Sequence, residues 1–230
     1  MTKTALVLLC KRPGPGIGKQ RLAASFGSET TQQVANALLA CALEDASAWP
    51  GPVVIAPADV NDIDWAEALA AAIRSLVIII PQAAGNLGER LNALDKILRA
   101  QGMEQLVFIG SDAPGLVAAD YVTVCAALQR NDVVLIPAVD GGVVLMANRT
   151  AWPDLSALPW SSEHLESALR YACCSTGLSV SVLKQSYDVD EPDDVIKLIS
   201  LLQQDVRPAR RALRKLVKTL TFQSLQVNNV

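Results

Sequence analysis

Histidine is almost absent from this chain of 230 residues, where His164 is the single example. A zinc site built on several histidines is therefore excluded, and a structural zinc site is not expected. The five cysteines are an odd number without a C-x-x-C pair, and two of them, Cys173 and Cys174, are neighbours whose geometry suits a disulfide poorly. Reduced and mostly buried thiols are expected, which favours a cytoplasmic protein.

Long apolar runs and a large net charge are also missing. No run approaches the roughly 18–20 apolar residues that a membrane span needs. The first apolar run ends at Lys11 and Arg12 without a small-residue cleavage site, so it predicts a strand rather than a signal peptide. The net charge is only −3. Nucleic acid is therefore not indicated as a partner, and a small-molecule ligand is expected.

Short β-branched runs alternate with helical stretches along the chain, and 51% of the residues are hydrophobic. This alternation predicts an α/β fold with a doubly wound, mostly parallel sheet and helices on both faces. Strands are expected at 4–10, 52–58, 76–82, 105–112, 133–140, 142–148 and 178–184. Helices are expected at 29–47, 62–74, 87–101, 118–130, 162–175 and 192–204. Ser28 is the expected N-cap of the first helix, and Ser161 or Ser162 that of the fifth.

The last part of the chain, 205–230, differs from the domain predicted at 1–204. Its run at 207–222 is strongly basic and carries Leu213 and Val217 at helical spacing. This pattern predicts a basic C-terminal helix whose apolar face packs on the domain. A contact with a membrane surface or with another subunit is the alternative.

The loop after the first strand-like run reads KRPGPGIGKQR and combines glycine, proline and positive charge. It is not a P-loop, because Pro13 replaces the first glycine and Gln20 replaces the Ser/Thr that would bind Mg²⁺. It is not a dinucleotide fingerprint either, since its third glycine comes one residue early. Glycines at the C-terminal end of a first strand, bracketed by four cations, are typical of a phosphate-binding loop. A solvated surface loop is the alternative.

Carboxylates follow several of the later strand-like runs. Asp112 ends a buried run, Asp140 precedes two glycines, and Asp190 lies in the acidic segment YDVDEPDDV. If Asp112 and Asp190 converge at one sheet edge, they form a candidate Mg²⁺ site, since hard cations prefer carboxylate oxygens. Simpler alternatives are a helix cap for Asp112, an Asp-Gly hairpin turn for Asp140, and helix capping for most of the acidic segment.

Six segments, taken in order, resemble the motifs of a known family. They are KRPGPGIGKQRL (11–22), QAAGNLGER (82–90), GSDAPGL (110–116), PAVDGGVVL (137–145), WSSE (160–163) and DVDEPDD (188–194). Together they resemble the nucleotide-diphospho-sugar transferase superfamily of GT-A fold. Within it, they are similar to a bacterial glycosyltransferase-like family related to the phospholactate/phosphoenolpyruvate guanylyltransferases. The chain departs from that pattern at Gln20 and Glu191, which replace threonines, and at Val143 and Val144, which replace tyrosines.

The resemblance covers about residues 4 to 204 and implies a single-domain, Rossmann-like GT-A fold with a role for each motif. The nucleotide would be bound by Lys11, Arg12, Gly14, Gly16, Gly18, Gln82, Gly85 and Glu89. The acceptor would lie beside Asp140, Gly141, Gly142 and Ser161. Asp112 and Asp190 would hold Mg²⁺ or Mn²⁺, and catalysis would depend on Asp112, Lys19 and Arg21.

The same resemblance implies a Mg²⁺-dependent transferase, and nucleotidyl transfer from a nucleoside triphosphate to a small phosphorylated acceptor is the first expectation. Four cations in the first loop suit a triphosphate better than a diphosphate sugar. Glycosyl transfer from a nucleotide-diphosphate sugar is the second, although Pro114 stands where a D-x-D motif begun by Asp112 would place its second acid. A non-catalytic nucleotide-binding protein is the third, and a homo-oligomer is left open.

Overall fold

A computed structural model describes the backbone of residues 4–227 and the side chains of residues 4–221. Within them, the strands are β1 (Thr4–Cys10), β2 (Val53–Pro57), β3 (Val77–Ile79), β4 (Gln105–Ile109), β5 (Val133–Pro137), β6 (Val143–Asn148) and β7 (Val180–Val182). The helices are α1 (Gln20–Phe26), α2 (Ser28–Ala48), α3 (Ile63–Ala70), α4 (Leu87–Ala100), α5 (Ala118–Leu128), α6 (Leu165–Ser175), α7 (Pro192–Leu201) and α8 (Pro208–Val227). A short 3-10 turn at Val60–Asp62 precedes α3.

One sheet contains all seven of these strands, in the order β3-β2-β1-β4-β6-β5-β7. Strand β6 runs antiparallel to β4 and β5, whereas the remaining pairings are parallel. The antiparallel strand follows from the tight hairpin at Asp140–Gly142, in which the Ala138 N–H donates to the Gly142 carbonyl oxygen at 2.9 Å. The predicted hairpin and the predicted mostly parallel α/β sheet are both confirmed.

Two apolar layers cover the sheet, because its central strands alternate buried side chains between both faces. On one face, β1, β2 and β4 pack against α2, α3 and α5 around Leu8, Ile55 and Val124. On the other, the same strands pack against α4 and α6 around Leu94 and Leu169. The expected helices on both faces are therefore present.

The structure differs from the sequence prediction at helix starts. Helix α1 was not expected, and α2 has Gly27 rather than Ser28 at its N-cap, with φ +77°, a conformation that glycine adopts readily. Ser161 has φ +64° and lies outside the helix, and α6 begins directly after His164. The Ser162 hydroxyl accepts a hydrogen bond from the His164 N–H at 3.3 Å. The predicted N-caps were therefore wrong.

The basic C-terminal run forms α8, which packs against α2 and α7 through a third apolar cluster that includes Val34, Leu198, Leu213 and Val217. The division of the chain at residue 204 stays a prediction, and residues 1–3 and 228–230 of the two predicted segments lie outside the described residues. Among the described helices, none combines the length and apolar character that a bilayer span requires.

A buried arginine fastens α8 to α2. Arg210 is fully buried, and its guanidinium donates to Glu44 Oε2 at 3.0 Å and to Asp45 Oδ2 at 2.6 Å. The Tyr121 hydroxyl donates to the same Asp45 oxygen at 2.9 Å. Burial raises the pKa of Asp45, and the Arg210 guanidinium opposes that rise. Carboxylates that are shielded from water need a neighbouring cation to stay ionised, and Arg210 supplies that cation here.

We expect Arg210→Met to lower the free energy of unfolding by about 3–5 kcal/mol, because it removes the fully buried cation shared by Glu44 and Asp45 and leaves Asp45 only its contact with Arg207. Arg211→Met is the matched control, since Arg211 is exposed on the same helix and should change stability by less than about 0.5 kcal/mol. Urea denaturation at neutral pH measures both. Equal effects of the two substitutions would contradict this account of α8.

Asp132 directly precedes β5 and links it to the residues next to β6 and β7. Its carboxylate accepts hydrogen bonds from the Ser179 hydroxyl at 2.6 Å, the Ser179 N–H at 3.0 Å and Arg149 Nε at 3.1 Å. The Ser179 hydroxyl and N–H, with help from Arg149 and Thr150, hold the pKa of Asp132 well below its usual range. The ionised carboxylate therefore stabilises the fold.

Asp132→Asn is expected to lower the melting temperature at pH 7, where the native carboxylate is ionised. The pKa of Asp132 is lower in the folded than in the unfolded chain, so its stabilisation is complete above the unfolded value of about 3.9 and is lost as pH falls towards the folded value. The difference in melting temperature between wild type and variant should therefore become smaller below about pH 4. Thermal melts from pH 7 to pH 2 test this, with Glu104→Gln as the exposed control. A pH-independent difference would refute it.

Candidate functional site

The basic loop after β1 adopts a left-handed backbone at three positions. Gly16 and Gly18 have φ values of +73° and +67°, and Lys19, the N-cap of α1, has φ +49°. The loop closes on itself, because the Ile17 N–H donates to the Gly14 carbonyl oxygen at 3.1 Å and Gln20 Nε2 donates to that of Gly16 at 2.9 Å. This turn directs the Lys19 side chain inwards.

The Lys19 ammonium lies between two carboxylates that are far apart in sequence. Its Nζ donates to Asp112 Oδ2 at 3.0 Å, to Asp190 Oδ1 at 2.7 Å and to the carbonyl oxygen of Val189. These bonds use all three ammonium N–H donors. Burial lowers the pKa of Lys19, but the carboxylates of Asp112 and Asp190 outweigh burial, so the pKa is raised above its usual value. Lys19 therefore stays charged and ties the first loop to both acidic segments.

Three carboxylates form a compact group next to this ammonium. Ligand oxygens of Asp140, Asp188 and Asp190 lie within 4.8 Å of one another. Burial and the neighbouring carboxylates of Asp140, Asp112 and Asp190 raise the pKa of Asp188 to about 7. Such mutual repulsion favours the binding of a cation.

Backbone hydrogen bonds bring the acidic segments together. The Val189 N–H donates to the Asp112 carbonyl oxygen at 3.0 Å, and the Ser186 N–H donates to that of Pro137 at 2.9 Å. The first bond aligns the segment Asp188–Asp190 with the end of β4, and the second aligns it with the end of β5. Val189 is fully buried in the apolar cluster that also contains Val34 and Leu198, so its neighbours Asp188 and Asp190, on extended backbone, project to the opposite side.

The donor chemistry of this group fits a divalent metal. Mg²⁺ and Mn²⁺ prefer oxygen ligands, and Asp140, Asp188 and Asp190 offer carboxylate oxygens alone. Asp112 lies outside the group, although its carboxylate shares Lys19 with Asp190. The sequence-based pairing of Asp112 with Asp190 as metal ligands stays a prediction, and the geometry adds Asp188 and Asp140 as candidates.

A cleft of about 750 Å³ opens at the C-terminal ends of β1 and β4 and the start of β6, and it is lined by these carboxylates. Eleven of the sequence-predicted site residues line it: Lys11, Arg12, Gly18, Lys19, Arg21, Gln82, Asp112, Asp140, Gly142, Ser161 and Asp190. Five others lie off its wall: Gly14, Gly16, Gly85, Glu89 and Gly141. Gly14 and Gly16 instead line a small recess next to the first loop. The roles assigned to all sixteen residues stay predictions.

The QAAGNLGER motif forms the start of α4. Glu89 is part of a capping box, in which its carboxylate accepts from the Asn86 N–H at 2.7 Å and the Asn86 side chain accepts from the Glu89 N–H at 3.1 Å. Gly85 has φ +103°, and a Cβ there would collide with the Glu89 carboxylate. Gln82 Nε2 donates to the Ala56 carbonyl oxygen at 2.7 Å. The contacts of Gly85 and Glu89 are therefore internal to the motif, and Gln82 is the predicted residue of the motif that lines the cleft.

The hairpin at Asp140–Gly142 and the WSSE segment form the opposite wall. Asp140 Oδ1 accepts from the Gly142 N–H at 2.9 Å, so Asp140 both makes the turn and faces the acidic group. Gly141 has φ +88° and lies against the backbone of Glu163, where a side chain would not fit. This contact holds the WSSE segment beside the hairpin and places Ser161 on the cleft.

Sequence reasoning missed two residues of this site, Asp188 and Arg90. Asp188 was interpreted as helix capping, yet D-V-D at 188–190 is itself a D-x-D pattern, and extended backbone places alternate residues on one side. Arg90 lines the cleft, and its Nε donates to the Gly85 carbonyl oxygen at 2.8 Å. Helical spacing from the start of α4 would have placed Arg90 on the same side as Leu87.

Solved structures share this fold. A candidate nucleotide-diphospho-sugar transferase from Desulfovibrio desulfuricans G20 superposes with a TM-score of 0.83 at 21% identity, over 96% of this chain and 99% of its own. A cytidylyltransferase from Leptospira borgpetersenii gives 0.56 at 13% identity, over 95% of each chain. A CMP:2-keto-3-deoxy-manno-octonic acid synthetase in complex with CTP gives 0.51 at 14% identity, over 89% of this chain and 100% of its own. The fold that the resemblance implied is confirmed.

Comparison with curated proteins gives no match. A family model described as "Uncharacterized protein conserved in bacteria (DUF2064)" matches residues 38–162, which is more than half of the chain. The matched range contains the 82–90 and 110–116 motifs, the hairpin at Asp140–Gly142 and the cleft residue Ser161. The chain therefore belongs to the bacterial DUF2064 family.

Proposed function

We propose that this protein is a Mg²⁺-dependent nucleotidyltransferase that uses a nucleoside triphosphate and a small phosphorylated acceptor. The observation that carries the proposal is the convergence of Asp140, Asp188 and Asp190 beside Lys19, in a cleft bordered by the basic loop. Acidic ligands for a cation next to positively charged side chains suit a triphosphate, whose charge must be neutralised during transfer.

The proposed reaction is a displacement at phosphorus. An oxygen of the acceptor phosphate attacks the α-phosphorus and forms a new P–O bond, while the bond to the leaving pyrophosphate breaks. Asp140, Asp188 and Asp190 would hold Mg²⁺, which supplies positive charge to the phosphates when bound. No protein nucleophile is required, and the chain contributes by positioning and charge neutralisation.

The cations of the cleft divide into two groups by their present contacts. Lys11 and Arg90 line the cleft, and no carboxylate of the described residues lies within ion-pair distance of either. Arg12 and Arg21 form largely exposed pairs with Asp62 at 3.7 Å and with Glu191 at 3.1 Å. Exposed pairs contribute little to stability, so these arginines can exchange a carboxylate for a phosphate at small cost.

For Lys19, which the resemblance assigns to catalysis, the present contacts support a role on the carboxylates. All of its ammonium donors are engaged by Asp112, Asp190 and the Val189 carbonyl oxygen. In this state Lys19 neutralises and orients the carboxylates, and Lys11, Arg12, Arg21 and Arg90 are the cations available to the phosphates.

Fold similarity supports the proposal and also supplies its alternative. The synthetase solved with CTP and the Leptospira cytidylyltransferase are named for cytidylyl chemistry, which favours nucleotidyl transfer. The Desulfovibrio protein is named as a nucleotide-diphospho-sugar transferase and superposes with a TM-score of 0.83. That likeness favours glycosyl transfer as the second candidate, in which the same residues would bind the diphosphate of the donor.

Thermal shift with Mg²⁺ and the four common nucleoside triphosphates, UDP-glucose and GDP-mannose tests the proposal. We expect one triphosphate to raise the melting temperature by several degrees, because a ligand at 100 times its Kd adds about 2.7 kcal/mol of stability. Asp188→Asn should abolish the Mg²⁺-dependent part of this shift. It should not destabilise the free protein, since it removes a repelling carboxylate. Asp193→Asn, an exposed acid of the same region, is the control.

The ligand that produces the shift distinguishes the candidates. A shift with diphosphate sugars alone would replace nucleotidyl transfer by glycosyl transfer. A shift that is unchanged in Asp188→Asn would contradict the assignment of this residue to the metal. No shift with any nucleotide at millimolar concentration would sink both enzymatic proposals.

Lys19→Met tests whether the Lys19 ammonium and a divalent metal ion compete for Asp190. We expect the variant to bind Mn²⁺ about tenfold more tightly without nucleotide, because loss of a charge-assisted hydrogen bond of about 1.4 kcal/mol frees Asp190. Its melting temperature should fall, since Asp112 and Asp190 then lack their shared cation. Mn²⁺ titration followed by electron paramagnetic resonance measures the affinity. Lys11→Met controls for net charge, and an equal gain in both variants would contradict a specific role for Lys19.

A further inference from the structure

The basic residues of the C-terminal segment reach the turn that follows Asp112. Arg207 Nη2 donates to the Leu116 carbonyl oxygen at 2.9 Å, and Arg210 Nε donates to that of Pro114 at 3.3 Å. The turn at 113–116 lies at the C-terminal end of β4, directly after the acid that binds Lys19. Arg207 and Arg210, which are distant from this turn in sequence, thus hold its backbone through hydrogen bonds to its carbonyl oxygens.

The same turn supports the second acidic segment. The Asp112 carbonyl oxygen accepts from the Val189 N–H at 3.0 Å. Gly115 packs so closely that a Cβ there would lie 3.3 Å from the Leu201 side chain and 3.6 Å from the Ser186 hydroxyl. Displacement of the turn would therefore move Asp112 and the segment Asp188–Asp190 together.

Arg207 is well suited to fix this turn. Its guanidinium also donates to Asp45 Oδ1 at 2.9 Å and to Asp205 Oδ2 at 2.6 Å. One planar group therefore joins α2, the start of α8 and the Leu116 carbonyl oxygen. A lysine keeps the charge beside Asp45 and Asp205 but lacks the rigid fork that makes all three contacts at once.

We propose that Arg207 is a positioning residue for the carboxylate site, and that the basic C-terminal segment sets the geometry of Asp112, Asp188 and Asp190. Arg207 touches no ligand in this proposal; it acts through the Leu116 carbonyl oxygen and the turn. The consequence for metal binding rests on the proposed function, whereas the consequence for the local backbone does not.

Arg207→Lys tests the proposal in the full chain, with Arg211→Lys, an exposed position in the first turns of the following helix α8, as the control. Hydrogen exchange measured by mass spectrometry should show about tenfold faster exchange in peptides covering 110–117 and 186–191. Exchange in β1 and β4 should stay unchanged. Mn²⁺ affinity should fall several-fold, while the urea midpoint stays near that of the wild type. The control should leave all three readouts unchanged.

Faster exchange confined to α8, or spread through the chain in proportion to lost global stability, would overturn the positioning role. Unchanged Mn²⁺ affinity despite faster exchange at 110–117 and 186–191 would overturn the link from Arg207 to the carboxylates. If wild type binds no Mn²⁺, the proposed function loses its metal, and the exchange readout alone decides whether Arg207 holds the turn. If Arg207→Lys does not fold, Asp205→Asn replaces it, because it weakens the hold on the guanidinium and leaves Arg207 beside Asp45; faster exchange is again expected at 110–117 and 186–191, and its absence there would overturn the proposal.

Discussion

Repulsion between carboxylates at the C-terminal edge of the sheet is the constraint on which this site depends. Asp112, Asp140, Asp188 and Asp190 come from three segments, and burial together with repulsion from the other three carboxylates raises the pKa of Asp188 to about 7. The Lys19 ammonium offsets part of it through bonds of 3.0 and 2.7 Å to Asp112 and Asp190. Because that cation sits on the first loop, neutralising the acids also fixes the loop. The acidic group and the basic loop after β1, which is the candidate for phosphate binding, are therefore ordered together.

The topology of the sheet explains why distant motifs meet. Strands β1, β4 and β5 are mutually parallel in direction, so the residues that follow each of them emerge at one edge, where open α/β sheets bind their ligands. The hairpin inserts β6 between β4 and β5, and its turn keeps Asp140 at that edge. The segment after β7 then closes the group, because its backbone pairs with the ends of both β4 and β5. Main-chain bonds position Asp112 and the segment Asp188–Asp190, whereas the Asp140 carboxylate itself helps to form the turn that positions it.

The sequence predicted the sheet well, because buried parallel strands are continuous apolar runs that differ from amphipathic helices. It failed at helix starts, where Gly27 and Ser161 adopt positive φ and no short-range pattern indicates which serine lies outside a helix. Candidate site residues were found where a strand ends in a charged loop, as at Asp112 and Asp140. Asp188 was missed because capping explains an acid-rich helix start equally well. The burial of Val189 and the contacts of Asp188 and Asp190 with Asp140 and Lys19 show that these two acids face the cleft.

The basic C-terminal segment shows that the number of charges in a sequence does not decide which cations are buried and which are exposed. Arg210, Leu213 and Val217 follow one another at spacings of three or four, so they lie along one side of α8, and Arg207 directly precedes the helix. The two arginines continue the apolar seam towards Glu44 and Asp45, whereas Arg211, one residue further on, is exposed. Net charge alone suggested a surface for membranes or partner subunits. The position of each cation relative to the apolar stripe of the helix decides whether it is buried. A cation within the stripe is buried, so it needs a carboxylate partner inside the protein.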